Sequence, residues 1–165
     1  MRGRTSIMRY FVLLSLFLII SSCGVEQQQN MQLIHTHCSA QDGLSDASCT
    51  PGAIFPNATT SQICTPGYAQ SVRNVPQSEK DQVYAEYGIT KHAPGQYEID
   101  HLVSLEIGGS NDMKNLWPEL YTGPYNAHMK DQVENFLHAQ VCSSKMSLKE
   151  AQAEIATNWK AIVIH

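Results

Sequence analysis

The segment from Tyr97 to Pro118 constrains the fold more than any other part of this 165-residue chain. Its first arm is rich in β-branched and apolar residues. The turn-forming run Gly108–Asp112 follows, and a second apolar arm comes after Asn115. Glycine tolerates positive φ, and Ser, Asn and Asp favour turns. The segment therefore predicts a β-hairpin, with a helix beginning near Asn126.

Asp100 and His101 stand side by side on the first arm of this hairpin. Neighbouring side chains of a regular strand point to opposite faces, so both reach one site only where the strand bends or bulges. An imidazole titrates near neutrality and can take a proton from a water molecule. Such a pair is more often part of a surface turn or a structural hydrogen bond. The joint order of hairpin, turn, Asn115 and polar-headed helix is what indicates a functional site.

This order resembles the ββα-metal motif of the HNH endonucleases, in which Asp100-His101 would be followed by Asn115 and then by the helix. The resemblance covers roughly residues 49–159 and implies a small, single α+β domain with a hairpin-plus-helix core and flanking helices. The sequence also resembles those of one exported bacterial subgroup of this family. The similar parts are Asp100–Gly109, Asn115–Pro118 and the helix residues Lys130, Asp131 and Glu134.

The resemblance implies roles for four residues. His101 would be the general base, and Asn115 would hold the loop and orient His101 without touching the metal. Lys130 would meet a phosphate, and Asp100 would be the first metal ligand. The implied reaction is hydrolysis of phosphodiester bonds in DNA, with RNA left open as a substrate. The sequence has no separate DNA-reading module, so we expect little sequence specificity.

A second metal ligand is expected from the start of the helix predicted over residues 125–141. Asn126 lies on the helix face that carries Lys130 one turn later, whereas His128 lies about 200° round the helix from Asn126. Only one of the two can therefore complete a site with Asp100, and we favour Asn126. An oxygen-rich site suits Mg²⁺ or Mn²⁺, whereas a ligand at His128 would favour Zn²⁺ or Ni²⁺.

The first 22 residues are expected to be a signal peptide. Three arginines within the first nine residues precede the apolar run Tyr10–Ile20, which is too short to span a bilayer as a helix. The sequence Ile20–Cys23 resembles a bacterial lipobox, so we expect Cys23 to carry a lipid anchor on a membrane. An ordinary secretory signal is the alternative. Gly24 resembles the residue after the lipidated cysteine in lipoproteins sent to an outer membrane.

Four cysteines remain when Cys23 is assigned to the lipid: Cys38, Cys49, Cys64 and Cys142. An exported chain reaches an oxidising compartment, where these four can form two disulfides in one of three connectivities. The sequence does not choose between them, although Cys49 and Cys64 flank a Pro- and Gly-containing segment that a bond between them would close. The chain has no C-x-x-C pair, which argues against a structural zinc site.

The rest of the chain divides into a predicted tether over residues 23–48 and a nuclease domain over residues 49–165. Residues 49–74 are expected to be irregular. A helix is predicted over 78–87 with Ser78 and Asp81 at capping positions, and another is predicted to begin after a capping box at Ser147.

Charge argues against one class of nucleic-acid binder. The chain beyond the signal holds eight basic and fifteen acidic residues, a net charge of −7. Tight non-specific DNA binders are usually basic, so a nuclease of this charge needs a local patch. The cations for such a patch are Arg73, Lys91, Lys114 and Lys130. Two other classes stay open: a metal-dependent hydrolase of another substrate and an anchored, non-catalytic binding module. The sequence indicates no protein partner.

Overall fold

A computed structural model describes residues 38–164 of the chain. This part combines helices with one two-stranded sheet, in agreement with the predicted α+β class. Its helices and strands are, in chain order, α1 Thr60–Ile63, α2 Tyr68–Val72, α3 Gln77–Glu86, β1 Tyr97–His101, β2 Leu116–Leu120, α4 Ala127–Cys142 and α5 Leu148–Asn158. Three short 3₁₀ turns lie at Leu105–Ile107, Met113–Asn115 and Trp159–Ala161.

The predicted hairpin is present, with a shorter first arm than the apolar pattern indicates. β1 pairs antiparallel with β2, from Tyr97 opposite Leu120 to His101 opposite Leu116. After His101 the chain leaves the sheet and folds into a packed loop, whose apolar side chains are buried: Leu102, Val103, Leu105 and Ile107. Gly109 makes this path possible, because a Cβ on it would lie 1.7 Å from the Val103 carbonyl oxygen.

The predicted helices are confirmed, and their caps are confirmed in part. α3 covers the predicted region, but its N-cap is Pro76, which makes no side-chain hydrogen bond. The capping positions predicted there at Ser78 and Asp81 are wrong, and Asp81 instead accepts a hydrogen bond from Gln77. α5 begins as predicted, with Ser147 accepting from the backbone N–H of Glu150.

The expectation that residues 49–74 are irregular is wrong, since α1 and α2 lie there. α1 opens with a capping box in which the Thr59 side chain accepts from the backbone N–H of Gln62 and the Gln62 side chain accepts from that of Thr59. This T-x-x-Q signal is visible in the sequence and accounts for the start of the helix.

The apolar core forms two clusters. One joins α4 and α5 to the packed loop and to Ile63 of α1, and the other joins α3 to the hairpin through Val83, Leu116 and Trp117. The core face of α4 carries Val133, Leu137 and Val141, whereas Met129 near its start is 42% exposed. Both clusters contain loop residues that follow β1, so the end of β1 lies between them.

Two disulfides join Cys38 to Cys49 and Cys64 to Cys142. The suggested bond between Cys49 and Cys64 is therefore wrong. The sulfurs of Cys64 and Cys142 meet because α1 packs against α4, a contact across 78 residues of sequence. Two disulfides indicate that the folded domain lies in an oxidising compartment.

Residues 38–48 belong to the folded domain. Cys38 is buried and disulfide-bonded, and Trp159 donates a hydrogen bond through Nε1 to the Gly43 carbonyl at 2.9 Å. The boundary expected at residue 48 therefore moves to before Cys38. The signal peptide, Cys23 and the rest of the predicted tether lie outside the described residues. Within residues 38–164, no helix combines the length and the apolar character that crossing a bilayer requires.

Candidate active site

His101 ends β1 and is 2% exposed, with its ring against Asn111. Its Nε2 lies 3.2 Å from Asn111 Oδ1. The backbone fixes the orientation of the Asn111 amide, because Nδ2 donates to the Val72 carbonyl at 2.8 Å and Oδ1 accepts from the Asn74 N–H at 3.1 Å. An amide oxygen only accepts hydrogen bonds, so the neutral ring carries its hydrogen on Nε2. The lone pair of His101 is then on Nδ1.

His101 Nδ1 is buried and has no hydrogen-bond partner among residues 38–164. A buried acceptor without a partner costs about 1–3 kcal/mol, so this atom is a place for a bound water. Burial lowers the pKa of His101 and outweighs the opposite effect of the Asp100 charge. The ring is therefore neutral at neutral pH, as a general base must be before it accepts a proton.

Asn115 holds the packed loop that follows His101. It is fully buried, its Oδ1 accepts from the Val103 N–H at 2.8 Å, and its Nδ2 donates to the carbonyls of Val103 and Ser110 at 2.9 and 2.8 Å. One amide side chain thereby joins the start of the loop to its end. These are the hydrogen bonds of a residue that fixes a loop rather than one that binds a metal.

Lys130 lies at the centre of an ion cluster. Its Nζ donates to Asp100 Oδ2 at 2.6 Å and to the His101 carbonyl at 2.8 Å, and it makes a close contact with Glu134. An ammonium group has three donors, and these acceptors occupy all three. The side chain is 1% exposed. The expected contact of Lys130 with a phosphate is therefore corrected, because this position faces the core and the hairpin rather than solvent.

The charges around Lys130 account for the pKa directions there. Burial alone would lower the pKa of Lys130, but attraction by Asp100 and Glu134 raises it above the ordinary value. Burial would raise the pKa of Asp100, and the Lys130 ammonium reverses this, leaving a lowered pKa. The same ammonium does not offset the burial of a second carboxylate, so the pKa of Glu134 is raised to about 7. Lys130 and Asp100 are the charged pair of this cluster.

Three carboxylates meet on the side of the hairpin that faces α4. Glu98 and Asp100 are two residues apart on β1 and so share a face, and Glu119 lies opposite Glu98 in the register. One oxygen from each lies within 4.8 Å of the other two. Tyr121 donates its hydroxyl to Glu98 Oε2 at 3.0 Å at the rim of the group. The structure therefore surrounds the predicted ligand Asp100 with two further carboxylates.

The predicted helix ligands Asn126 and His128 are placed elsewhere. Asn126 is the N-cap of α4, where its Oδ1 accepts from the Met129 N–H and its Nδ2 donates to the Gly123 carbonyl. Both groups of its amide are thus occupied at the start of the helix. His128 is exposed, with its Nδ1 4.0 Å from Asp131. Among residues 38–164, no hydrogen bond or ion pair joins Asn126 or His128 to Asp100.

Exposed cations near the site are few. Arg73 is exposed at the end of α2, and its charge acts to lower the pKa of His101. The backbone on both sides of Arg73 is held by Asn111, the residue that also contacts His101. Lys91 and Lys114 are exposed as well. Both Arg73 and Lys130 act on His101, but Lys130 is buried, so Arg73 is the exposed cation of the pair.

Sequence reasoning missed Glu119 and the role of Asn111. Glu98 could have been found, because it precedes Asp100 by two residues on a predicted strand. Glu119 could not, since its position opposite Glu98 depends on the register set by the packed loop. Asn111 was included in the turn cluster, but its contact with His101 depends on where residues 72–74 lie.

Comparisons with known proteins identify no relative: no family model, no curated protein and no solved structure matches this chain.

Proposed function

We propose that this chain is a metal-dependent nuclease of the HNH type that hydrolyses phosphodiester bonds in DNA with little sequence preference. The observation that carries the proposal is the state of His101. Asn111 holds the ring so that the Nδ1 lone pair is free, and Asn115 fixes the loop that follows. The strand that ends in this imidazole carries Asp100, and α4 lies against the same strand end through Lys130.

Each residue has a role that follows from its contacts. His101 Nδ1 takes the proton of the attacking water, and the Nε2–H bond to Asn111 keeps the ring in the tautomer that can do so. Asn115 holds the loop in place, and Arg73 is the exposed cation available for a phosphate. Lys130 positions Asp100 and the backbone of His101. A divalent cation held by Asp100 and neighbouring carboxylates would stabilise charge on the scissile phosphate.

The direct test uses the full-length chain purified in detergent. It is incubated with supercoiled plasmid, and in parallel with single-stranded RNA, in Mg²⁺ or Mn²⁺ and in EDTA. We expect nicked and linear plasmid with either metal, no products in EDTA, and loss of cleavage in Asp100→Asn purified in the same way. Cleavage of equal rate in EDTA, or in the variant, would refute the proposal. The RNA reaction decides the breadth of the substrate.

A metal-dependent hydrolase of another substrate is the second candidate function. It would also lose its activity in EDTA, but it would not cleave plasmid DNA. The same chain would then cleave a small phosphodiester or cell-wall substrate in Mn²⁺ and leave plasmid and RNA intact.

A non-catalytic binding module would need a binding surface other than this site. A cavity of about 240 Å³ lies between the hairpin and the N-terminal segment, lined by Tyr87, Tyr97, Trp117 and Leu120 among others. Ligand pockets for small molecules usually occupy about 300–1,000 Å³, so this cavity is small for that purpose, whereas an open groove of about 590 Å³ beside α5, lined by Phe136, Met146 and Ile162 among others, lies within that range. His101 and Asp100 line neither of the two. The nuclease proposal is preferred because it uses the polar groups that the binding-module alternative leaves without a function.

We also propose that the domain is held on a membrane by a lipid on Cys23. The two disulfides support export of the chain, because disulfides persist in oxidising compartments. A lipid anchor holds a soluble domain at a membrane through about 0.8 kcal/mol per buried methylene. Detergent phase partitioning of the mature protein tests this. The wild type should enter the detergent phase, and Cys23→Ser should accumulate as an unprocessed precursor. A mature wild type found in the aqueous phase would show that Cys23 lies in an ordinary cleaved signal.

A further inference from the structure

We infer that Glu98, Asp100 and Glu119 form a binding site for one hard divalent cation, with Glu119 as a ligand inside the hairpin. The inference rests on the proposed function in one respect: the bound ion would take part in the proposed hydrolysis. Its ligand set differs from the one expected from the sequence, because two of its three carboxylates come from residues that the motif does not include. α4 supplies none of the three.

The first support is the state of Glu119. This residue is 1% exposed, and as an ionised carboxylate it finds no hydrogen-bond donor for either oxygen among residues 38–164; only a shared proton would bond it to Asp100. Buried polar atoms in folded proteins are nearly always paired, so a carboxylate with two unpaired oxygens needs a bound species. Its oxygen faces those of Glu98 and Asp100. The missing partner therefore belongs in the space that these three carboxylates enclose.

The second support is the spacing of the oxygens. Two ligand atoms on one ion can be no farther apart than twice the metal–oxygen distance, which is about 4.2 Å for Mg²⁺ and about 5 Å for Ca²⁺. The three oxygens lie within 4.8 Å of one another. Three equally spaced ligands on one ion lie at most about 4.3 Å apart for Ca²⁺ and about 3.6 Å apart for Mg²⁺, so the carboxylates would close slightly around either ion, and less for Ca²⁺. An all-oxygen ligand set selects these hard cations over Zn²⁺.

The third support is the charge around the hairpin face. Four carboxylates lie together there, at Glu98, Asp100, Glu119 and Glu134, and Lys130 is the ammonium among them. Lys130 bonds to Asp100 and Glu134 and so leaves Glu98 and Glu119 without a paired cation. Glu98 and Asp100 are half-buried, which gives an ion a route from solvent to the buried oxygens of Glu119.

A proton is the competing occupant. Glu119 lies close enough to Asp100 for the two to share one, and burial raises the pKa of Glu119 to about 10. Glu119→Gln distinguishes the two occupants, since it reproduces the shape and charge of a protonated glutamate but removes an anionic ligand. If a proton alone occupies the site, the wild type should bind no cation and the variant should resemble it.

The test is calorimetric titration of the full-length chain in detergent with MnCl₂ and, separately, with CaCl₂. We expect one site in the wild type and binding at least about tenfold weaker in Glu119→Gln, because the number of charged oxygen ligands sets the affinity of such a site and the variant replaces one of three carboxylates with a neutral amide. The melting temperature of the wild type should rise with either cation, and that of the variant should not. Glu134→Gln is the matched control. It removes a carboxylate from the same ion cluster but not from the trio, and should bind within about threefold of wild type.

Absence of binding in the wild type would overturn the inference, as would equal affinities in wild type and Glu119→Gln. Equal losses of cation affinity in Glu119→Gln and Glu134→Gln would also overturn it. They would show that the cation responds to the total charge of the cluster and is not bound by Glu119 itself. Circular dichroism in EDTA checks that the variants fold, and Glu98→Gln, at a more exposed position, replaces Glu119→Gln if that variant does not. Cation binding without plasmid cleavage would support the site and refute the nuclease. Cleavage with unchanged binding in Glu119→Gln would refute the site alone.

Discussion

Two polar clusters flank the end of β1, and they differ in charge and in how completely their hydrogen bonds are made. The amide cluster comprises His101, Asn111 and Asn115, and the two asparagine side chains in it are bonded to backbone groups at both ends. The carboxylate cluster comprises Glu98, Asp100, Glu119, Glu134 and Lys130. It contains four carboxyl groups and one ammonium, and the oxygens of Glu119 in it have no hydrogen-bond donor when this residue is ionised.

This difference separates two tasks of the proposed site. A neutral cluster whose two amides are fully bonded fixes a ring and a loop without altering the field around them, which suits the positioning of a base. A buried cluster with more carboxyl groups than cations is costly to ionise by itself, and its ionised form becomes favourable when a cation enters. The two asparagines of the amide cluster are therefore satisfied as folded, with only His101 Nδ1 open for a water, whereas the carboxylate cluster is completed by binding a cation.

Replacing His101 has the largest expected effect. His101→Ala should lower the rate of plasmid cleavage by about 10²–10⁴-fold, the usual contribution of a general base. Binding of Mn²⁺ should change little, because the imidazole belongs to the amide cluster. His128→Ala, at an exposed histidine on α4, should cleave within about twofold of wild type. Cleavage at the wild-type rate by His101→Ala would remove the base from the proposal.

Lys130 tests the carboxylate cluster through stability. Lys130→Met should lower the free energy of unfolding by about 3–5 kcal/mol, because it leaves Asp100 and Glu134 buried without their cation. Chemical denaturation in EDTA measures this. Lys149→Met at an exposed position of α5 should change it by no more than about 0.5 kcal/mol. A loss below 1 kcal/mol in Lys130→Met would contradict the central position of this ammonium.

Asn111 tests the amide cluster through the tautomer of His101. Asn111→Ala removes the acceptor of the Nε2–H, so ¹⁵N chemical shifts of the ring should move from one tautomer towards a mixture. The rate of cleavage should fall about 10–100-fold, as for other groups that orient a catalytic side chain. Asn57→Ala, in an exposed loop, is the control. An unchanged ring spectrum would show that another group sets the tautomer.

The smallest expected effect concerns the pH dependence of stability in EDTA. Burial raises the pKa of Glu134 from 4.5 to about 7 in the folded chain. A raised acid stabilises the fold below the unfolded pKa, and this stabilisation is lost as the pH rises to the folded pKa. Unfolding free energy should therefore fall between pH 4.5 and 7, with Glu134 contributing on the order of 2 kcal/mol. Glu134→Gln should flatten this fall and Glu154→Gln should not. Equal slopes in wild type and Glu134→Gln would show that Glu134 is charged in the fold at pH 5.

The helices and the hairpin follow from local signals in the sequence, whereas the pairing of the cysteines does not, since one disulfide spans 78 residues. A capping serine or asparagine acts on backbone groups two or three residues away, and a turn cluster acts on its own segment. Ser147 and Asn126 accordingly cap helices close to where the sequence predicts them. The short strand and the packed loop after His101 were not predicted, because β-branched residues fill a buried loop as readily as a strand.

By itself the sequence determined which residues have the chemistry for a site and the order in which they follow one another. Tertiary structure decided which of them meet. The register of β1 and β2 places Glu119 opposite Glu98. The packing of α4 against the hairpin buries Lys130 instead of exposing it. The position of α2 brings the backbone beside Arg73 to Asn111. The physical reason is the distance along the sequence over which each kind of interaction acts. Local propensities act over a few residues, whereas these contacts depend on the packing of both core clusters, which joins segments distant in sequence.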